Sequence, residues 1–431
     1  MSVGRIAKIA APTACHRGPK SRDALADALV DARDYTRRCY AHLVDADPVF
    51  PCVSIVNPAR WELGHIGWFQ EFWCRRYRED DRGGARTPSH VAAADALWNS
   101  SRVGHDSRWT LPLPDWAGID RYLDRTLADT LESLDRSRDG ERYFYELSLY
   151  HEDMHGEALL MTLQTLGFAP PRGLDPPLPV PDAPAAATDV DFGGGVLEMG
   201  SAPDDERDRF VFDNERLRHP VRVAPFAIAS RTVTEAEFAS FVDDDGYRRP
   251  DLWTLAGARW LETCGRTVPA AWRPSSSGYE VRWFDRWRPL SPGGAMQHVN
   301  AFEAEAWCAW AGRRLPTEAE WEFAATRSTR SDPRPTLDAR QGGPGPSADA
   351  GAGLSRLLGN VWEWTSTPFE PYPGFVRGPY ADYSAPWFGD HRVIRGGCWA
   401  TRSRLVHERF RNFYRPHRHD VFVGFRTCAA N

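Results

Sequence analysis

Apolar residues at helical spacing dominate the first third of the chain. Along the first such stretch they recur every three or four positions: Leu25, Leu29, Ala32, Cys39 and Leu43. This pattern predicts an amphipathic helix over 23–44. The same criterion predicts three further helices, at 57–72, 119–134 and 143–166. Asn57 is the expected N-cap of the second helix with Pro58 at its first position, and Gly167 the expected stop of the last. Four helices of this length favour a bundle.

Beyond the helices the pattern changes to short strand-like runs among many Gly, Pro and Trp residues. The intervening segment 169–188 is rich in Pro and Ala and predicts a stiff linker. One helix is clear in the later part, because Thr317 and Glu320 form a capping box. The predicted fold class is therefore α+β, with a four-helix bundle at 21–168 and a mixed domain at 189–431. The basic, Ala-rich residues 1–20 are expected to form a disordered leader.

Composition excludes several classes of protein. With 431 residues, a hydrophobic fraction of 42% and a mean hydropathy of −0.52, the chain has no apolar run that could span a bilayer. A net charge of −6 gives no electrostatic reason to expect nucleic acid or an anionic membrane as a partner. The eight cysteines are scattered without a CxxC pair, which favours a reducing cytoplasm over a secreted disulfide framework. Whether the chain is a monomer or a homo-oligomer stays open.

Three histidines are candidate metal ligands. His151 and His155 are four residues apart on the fourth predicted helix, so both imidazoles share one face. His65 lies on the apolar side of the second helix, and such faces meet inside a bundle. The His151–His155 segment also matches HExxH, in which Glu152 would be the general base of a zinc hydrolase. The motif alone leaves iron and zinc open.

Several motifs follow one another in the second part of the chain: Glu198-Met-Gly-Ser201, Asp213-Asn-Glu215, Pro225-Phe-Ala-Ile228, Thr232-Val-Thr234, the run from Arg313 to Trp321, Gly359-Asn-Val-Trp-Glu-Trp364 and Arg395-Gly-Gly-Cys-Trp399. This series resembles the sulfatase-modifying-factor family, whose fold is similar to a C-type lectin. A formylglycine-generating enzyme would carry a second cysteine about five residues after Cys398, where this chain has Ser403. The resemblance therefore implies the fold without that chemistry.

A DinB-like helical bundle with three histidines, joined to such a domain, resembles the ergothioneine-synthase family of sulfoxide synthases over almost the whole chain. The resemblance implies an Fe(II) cofactor held by His65, His151 and His155. It implies a non-haem iron oxidoreductase that uses O₂ to form a C–S or C–Se bond on the imidazole of hercynine, which is trimethylhistidine.

The resemblance also implies residues that act on the substrate. The catalytic tyrosine of the family lies in a segment that matches residues 380–388, which makes Tyr380 the implied proton donor. Residues 410–418 match the substrate-binding stretch of the family. The quaternary ammonium of hercynine has no N–H, so aromatic faces and amide dipoles should hold it. The implied substrate-binding residues are Asn412, Phe413, Tyr414, Arg418 and Met154.

Three positions bear on the sulfur or selenium donor. Members that use γ-glutamylcysteine carry an acidic residue where this chain has Tyr414, and a glutamine where it has Met154. Their carboxylate-binding arginine does not align with the segment 99–109. Loss of these anchors argues against a dipeptide donor, because its carboxylates would be desolvated without partners. A polar set in that segment would suit a sugar: Ser100, Ser101, Arg102, His105 and Asp106.

The segment and the histidine pair resemble the selenoneine synthases, the branch of the family that joins hercynine to a selenosugar. A thiol donor, cysteine or γ-glutamylcysteine, is the second expectation. Two other classes remain from the residues alone: a zinc hydrolase and a non-catalytic lectin-like binding module. Retention of all three histidines disfavours the binding module.

Overall fold

The computed structural model describes residues 21–77, 87–137, 142–180, 182–202, 210–328, 336–347 and 353–430, so the expected leader at 1–20 lies outside the described residues. Its α-helices are α1 (Arg22–Ala46), α2 (Ala59–Glu71), α3 (Ala94–Trp98), α4 (Trp116–Asp135), α5 (Tyr143–Leu166), α6 (Glu235–Asp243), α7 (Leu255–Cys264), α8 (Ala301–Trp310) and α9 (Glu318–Arg327). Its strands are β1 (Asp189–Phe192), β2 (Gly195–Met199), β3 (His219–Val223), β4 (Phe226–Ala229), β5 (Trp272–Ser275), β6 (Gly278–Trp283), β7 (Arg286–Pro289), β8 (Arg313–Arg314), β9 (Trp362–Pro368), β10 (Arg392–Arg395), β11 (Asn412–Tyr414), β12 (Val423–Gly424) and β13 (Cys428–Ala429). The predicted α+β class is confirmed.

Local capping fixes the ends of the long helices. Ser21 caps α1 by accepting from the Ala24 amide, and the Asp115 carboxylate caps α4. Helix α5 spans the predicted residues and ends at Gly167, whose φ of 67° is the left-handed conformation that glycine adopts without steric cost. The predicted start of α2 is wrong by one residue. Pro58 occupies the N-cap position, because the Asn57 amide donates to the Glu62 carboxylate at 2.8 Å instead of capping the helix.

The predicted four-helix bundle is confirmed. Helix α1 packs against α4 and α5, and α2 packs against the same two helices from the other side. Every residue of α2 from Trp61 to Glu71 is buried, so this helix is the centre of the bundle. A π-helical turn at Phe72–Arg76 extends it. Because α2 has no solvent face along this stretch, its polar residues must find partners inside the protein.

The described residues of the second domain form four small sheets with helices around them. The strand orders are β1-β4-β13-β8, β11-β10-β9-β12, β2-β3 and β5-β6-β7. All pairs are antiparallel except β12 with β9. The capping box at Thr317 opens α9 as predicted. Helices α6, α7 and α8 were missed, although Thr234 with Glu237 and Asn300 with Glu303 begin two of them with the same capping signature.

Contacts across the two parts of the chain concentrate on α5. The Glu157 carboxylate accepts from the Trp362 indole and the Thr401 hydroxyl, each at 2.7 Å. Arg404 makes a bidentate ion pair with Asp153 at 2.6 and 2.8 Å. The same helix carries the histidine pair, so these contacts hold the second domain in register with the candidate metal ligands.

The Pro/Ala-rich segment lies against the second domain. The Val180 amide donates to Ser291, and its carbonyl accepts from the Gly293 amide at 3.0 Å. Arg231 donates to the Ala185 carbonyl at 2.7 Å. The segment is therefore fixed by hydrogen bonds along part of its length, and the domain boundaries at 168 and 188 stay predictions. No helix in the described part of the chain is both long and apolar enough to cross a membrane.

One half-buried acid on α5 should make stability depend on pH. Burial raises the pKa of Glu146 to about 7, an effect that nearby Arg142 only partly opposes. Between about pH 4.5 and 7 the folded protein therefore binds more protons than the unfolded chain, so the free energy of unfolding falls as pH rises. Glu146→Gln removes this cost, and its Tm should exceed that of the wild type above pH 7.

The measurement is thermal unfolding by circular dichroism at pH 4.5, 6 and 8. The difference in Tm between variant and wild type should be smallest at the lowest pH, where the carboxyl is neutral in the folded protein and about half neutral in the unfolded chain. Glu132→Gln, a change at an exposed position on α4, is the matched control. A difference in Tm that is the same at all three pH values would contradict the prediction.

Candidate metal centre

The three predicted histidines meet between α2 and α5. One ring nitrogen of each of His65, His151 and His155 lies within 4.8 Å of the others. The Nε2 atoms of His151 and His155 are 3.2 Å apart. Two nitrogens bound at about 2.1 Å to one ion are separated by roughly 3.0 Å in octahedral and 3.4 Å in tetrahedral geometry. The His151–His155 spacing therefore fits two ligands of one first-row metal ion, iron or zinc, and a His65 nitrogen lies within 4.8 Å of both.

Hydrogen bonds at the far side of two rings select the nitrogens that face the site. His65 Nδ1 donates to the Trp98 carbonyl at 2.8 Å. His155 Nδ1 donates to the Glu62 carboxylate at 2.7 Å. Both acceptors require an N–H on Nδ1, which leaves the lone pair on Nε2. The Trp98 carbonyl and the Glu62 carboxylate thus orient the rings of His65 and His155. Neither acceptor was predicted from the sequence.

Burial keeps the imidazoles of His65 and His151 neutral. It lowers the pKa of His65 to about 3, with the neighbouring His155 adding to the effect. Burial also lowers the pKa of His151 well below its ordinary value. A neutral imidazole is the form that binds a metal ion. The Phe69 ring stacks on His151 at 3.5 Å between centroids, and Trp61 stacks on His65 at 5.0 Å. Apolar rings therefore enclose the site and limit the access of water.

Tyr380 of the second domain reaches this site. Its ring meets the Phe69 ring edge-on at 4.9 Å and lies 6.3 Å from the His151 ring. Burial raises the pKa of Tyr380, and the nearby Asp382 carboxylate raises it further. The phenol is therefore protonated at neutral pH, the state a proton donor needs. Its predicted position beside the histidines agrees with this geometry, and its catalytic role stays a prediction.

Aromatic contacts connect Tyr380 to the predicted hercynine-binding residues. The rings of Tyr380 and Tyr383 are 6.0 Å apart, and Tyr383 is 6.1 Å from Phe413. The Tyr383 hydroxyl donates to the Met154 sulfur at 3.8 Å. The Asn412 side-chain oxygen accepts from the Phe413 amide at 2.8 Å. The structure therefore connects Met154 and Phe413 of β11 to Tyr380 through their contacts with Tyr383.

Arg418 lies next to Tyr414 in the second domain. Arg418 forms a bidentate pair with Asp420 at 2.6 and 2.5 Å. Its guanidinium lies 5.2 Å from the centre of the Tyr414 ring. Burial raises the pKa of Tyr414, and Glu157 adds to this effect. Asp420 already neutralises the charge of Arg418. Any binding of a substrate carboxylate by Arg418 would therefore also involve Asp420.

A cavity of about 370 Å³ opens beside Tyr380. Residues from both domains line it: Trp68, Phe69, Phe72, Trp73, Tyr77, Asn99, Ser100, Ser101, Pro379, Tyr380, Ala381 and Asp382. The Ser101 hydroxyl donates to Asp382, which joins the two domains at this cavity. Two members of the predicted donor-binding set, Ser100 and Ser101, are therefore next to Tyr380.

The other members of that set are placed differently. His105 Nε2 hydrogen bonds with the Val56 carbonyl at 2.8 Å, and its Nδ1 hydrogen bonds with Asp106 at 2.8 Å. Neither these two residues nor the exposed Arg102 belongs to the lining of the cavity. His105 and Asp106 therefore brace the segment, and contact with a donor stays a prediction for Arg102, His105 and Asp106.

The position of Glu152 argues against a zinc hydrolase. Its carboxylate is buried and accepts two hydrogen bonds from Arg33, at 2.7 and 3.1 Å. A general base must reach a metal-bound or substrate proton. Arg33 holds the carboxylate within the bundle, so Glu152 does not fit the role of general base that a zinc hydrolase would require. A different carboxylate, that of Glu62, contacts His155, and a sequence signal for it was available, since Glu62 lies one helical turn before His65.

Comparisons with known proteins agree with this two-part architecture. The family model described as Sulfatase-modifying factor enzyme 1-like domain matches residues 178–341 and 345–431, and the DinB superfamily model matches residues 23–164. A hercynine oxygenase of Mycolicibacterium thermoresistibile is 36% identical, with 94% of this chain and 95% of the relative covered. A hercynine oxygenase of Mycolicibacterium smegmatis is 34% identical over 95% of this chain and 99% of its own length. A formylglycine-generating enzyme of Streptomyces coelicolor is 31% identical over 52% of this chain and 81% of its own. The chain therefore belongs to the hercynine oxygenase family, that of the ergothioneine-type sulfoxide synthases, and is an enzyme.

Proposed function

We propose that this enzyme uses Fe(II) and O₂ to join selenium, or sulfur, to the imidazole ring of hercynine, with a selenosugar as the favoured donor. The observation that carries the proposal is the convergence of three histidines with Tyr380, a residue from the other domain, beside a cavity. The names of the full-length relatives, hercynine oxygenases, support hercynine and O₂ as substrates.

His65, His151 and His155 are the residues that would hold the metal ion. Bound there, Fe(II) would supply the redox chemistry that lets O₂ serve as the oxidant when the selenium or sulfur of the donor is joined to the imidazole. The chain itself contributes orientation, because His65 and His155 are each fixed by a hydrogen bond to Nδ1. It also excludes bulk water through the aromatic rings that stack on the histidines.

The residues around Tyr383 would bind hercynine. A quaternary ammonium group is attracted to aromatic faces. Tyr383 and Phe413 are adjacent, and one face of each is stacked on another ring, Phe212 and Phe369 respectively, so the ammonium group would bind against the opposite faces. The Met154 sulfur is a soft, uncharged neighbour of the same pocket. Tyr380 would donate the proton that accompanies oxygen reduction, since its phenol stays protonated at neutral pH. Asn412 and Tyr414 would complete the pocket from β11.

The composition of the 370 Å³ cavity supports a sugar as the donor. Among its described lining residues there is no lysine or arginine, and the acid is Asp382. A γ-glutamylcysteine bound there would place its carboxylates without cationic partners, which is costly in a desolvated site. Aromatic rings such as Trp68 and Phe72 offer faces for the C–H groups of a sugar, while Asn99 and Ser100 offer hydrogen bonds for its hydroxyls.

The test uses anaerobically purified, Fe(II)-loaded protein with hercynine, O₂ and three donors in parallel: selenoglucose, cysteine and γ-glutamylcysteine. Mass spectrometry follows the adducts, and His151→Ala protein serves as the metal-site control. A hercynine–selenium adduct from selenoglucose alone is the expected result. A sulfoxide from either thiol would replace the selenosugar by a thiol donor and retain the metal chemistry. No adduct from any donor would overturn the proposed function.

A further inference from the structure

Three polar side chains, those of Arg108, Asn57 and Glu62, form a continuous series of hydrogen bonds that ends at His155. Arg108 donates from its guanidinium to the Asn57 side-chain oxygen at 2.6 Å. The Asn57 amide nitrogen donates to Glu62 Oε2 at 2.8 Å, and His155 Nδ1 donates to Glu62 Oε1 at 2.7 Å. Helix α2 supplies Glu62, and Arg108 comes from the segment that follows the cavity residues Asn99–Ser101.

In each hydrogen bond of this series, only one of the two groups can be the donor. A guanidinium has no acceptor, so Asn57 must turn its oxygen toward Arg108 and its NH₂ toward the acid. A carboxylate has no donor, so His155 must carry its proton on Nδ1. The positive charge of Arg108 thus sets the orientation of Asn57, and Glu62 sets the tautomer of His155. The Nε2 lone pair is left facing His151.

Burial makes this arrangement rigid. The Glu62 side chain is 2% exposed and lies within the bundle. The Arg108 guanidinium lies 3.8 Å from the centre of the Trp61 ring, and that ring stacks on His65. Trp98, ten residues before Arg108, accepts the Nδ1 hydrogen bond of His65. The stretch from Trp98 to Arg108 therefore supports two of the three imidazoles at the same time.

We propose that Glu62 is a positioning residue for the metal centre, which fixes the tautomer and increases the donor strength of His155, and that Asn57 and Arg108 hold Glu62 in place. This inference rests on the proposed metal-binding role of the histidines. Carboxylates that accept from the distal nitrogen of a ligand histidine orient the ring and make the ligating nitrogen more basic. Glu62 acts through His155 and does not touch the reacting atoms.

The test compares Co(II) binding by the wild type, Glu62→Gln, Glu62→Asp, Arg108→Met and the exposed control Glu132→Gln. Affinity is measured by competition with a chromophoric chelator, and the absorption bands of bound Co(II) report the ligand field. Glu62→Gln should weaken Co(II) binding by roughly 10- to 100-fold and shift the bands. Glu62→Asp should recover part of the affinity, and Arg108→Met should lose less than Glu62→Gln. Circular dichroism establishes that each variant is folded.

A second measurement covers the case in which Glu62→Gln fails to fold. In wild-type protein labelled with ¹⁵N-histidine and loaded with Zn(II), the nitrogen shifts of His155 should show a protonated Nδ1. An unprotonated Nδ1, or wild-type Co(II) affinity and spectrum in Glu62→Gln, would overturn the inference and leave the proposed function standing. Failure of the wild type itself to bind Co(II) would instead overturn the proposed metal site.

Discussion

Tyr380→Phe is expected to retain the metal ion and hercynine while forming product about 10²-fold more slowly, the smaller end of the range for loss of a general acid. The change removes the phenol hydroxyl and keeps the ring, so the edge-on contact with Phe69 survives. Because burial raises the pKa of Tyr380, the wild-type side chain carries a proton in the site at neutral pH. Without it, O₂ should still be consumed, and the fraction that yields adduct should fall.

The measurement is the ratio of adduct formed to O₂ consumed, with hercynine affinity determined separately by titration. Tyr279→Phe is the matched control, because it removes a hydroxyl that bonds to Asp243 in a part of the second domain remote in sequence from Tyr380. Tyr383→Phe tests the neighbouring phenol, which donates to the Met154 sulfur. An unchanged ratio in Tyr380→Phe would remove this residue from the mechanism.

The parts of the site that lie on one helix could be predicted from the sequence. Helix α5 has the predicted bounds because its apolar period and its glycine stop are both local signals. The spacing of His151 and His155 likewise places both rings on one face without knowledge of any other element. His65 is different. Its approach to the pair depends on how α2 and α5 pack, and for this residue the family resemblance carried the prediction.

The parts of the site that join distant segments could not be read from local patterns. Ser101 and Asp382 meet at the cavity although 281 positions separate them. Glu62 and Trp98 orient the histidines through contacts that exist only after the bundle has packed. The sequence places the polar residues of the segment 99–109 in one donor-binding set. In the fold it divides, because Ser101 faces the cavity while His105 faces the Val56 carbonyl.

Gly64→Ala is expected to damage the metal centre although it adds one methyl group to a helix. A Cβ at Gly64 would lie 2.1 Å from Nε1 of Trp98, a distance that no non-bonded pair adopts. Trp98 is fully buried and stacks on Tyr122 at 5.2 Å, so its indole has no open space into which to move. The better helix propensity of alanine contributes about 1 kcal/mol, whereas overpacking of a core costs about 1–3 kcal/mol. The cost of overpacking should therefore exceed the gain in helix propensity.

Displacement of Trp98 should reach the metal site through one hydrogen bond. The Trp98 carbonyl accepts a hydrogen bond from His65 Nδ1 at 2.8 Å. A shift of the Trp98 backbone would therefore release the ring of His65, the residue that follows Gly64. We expect a lower Tm and at least tenfold weaker Co(II) binding, measured by thermal unfolding and chelator competition. Gly193→Ala is the matched control, since a Cβ there would meet no atom within 4 Å. If Gly64→Ala lowered Tm alone and left Co(II) affinity unchanged, the Trp98 carbonyl would not be what orients His65, and stacking on Trp61 would have to suffice.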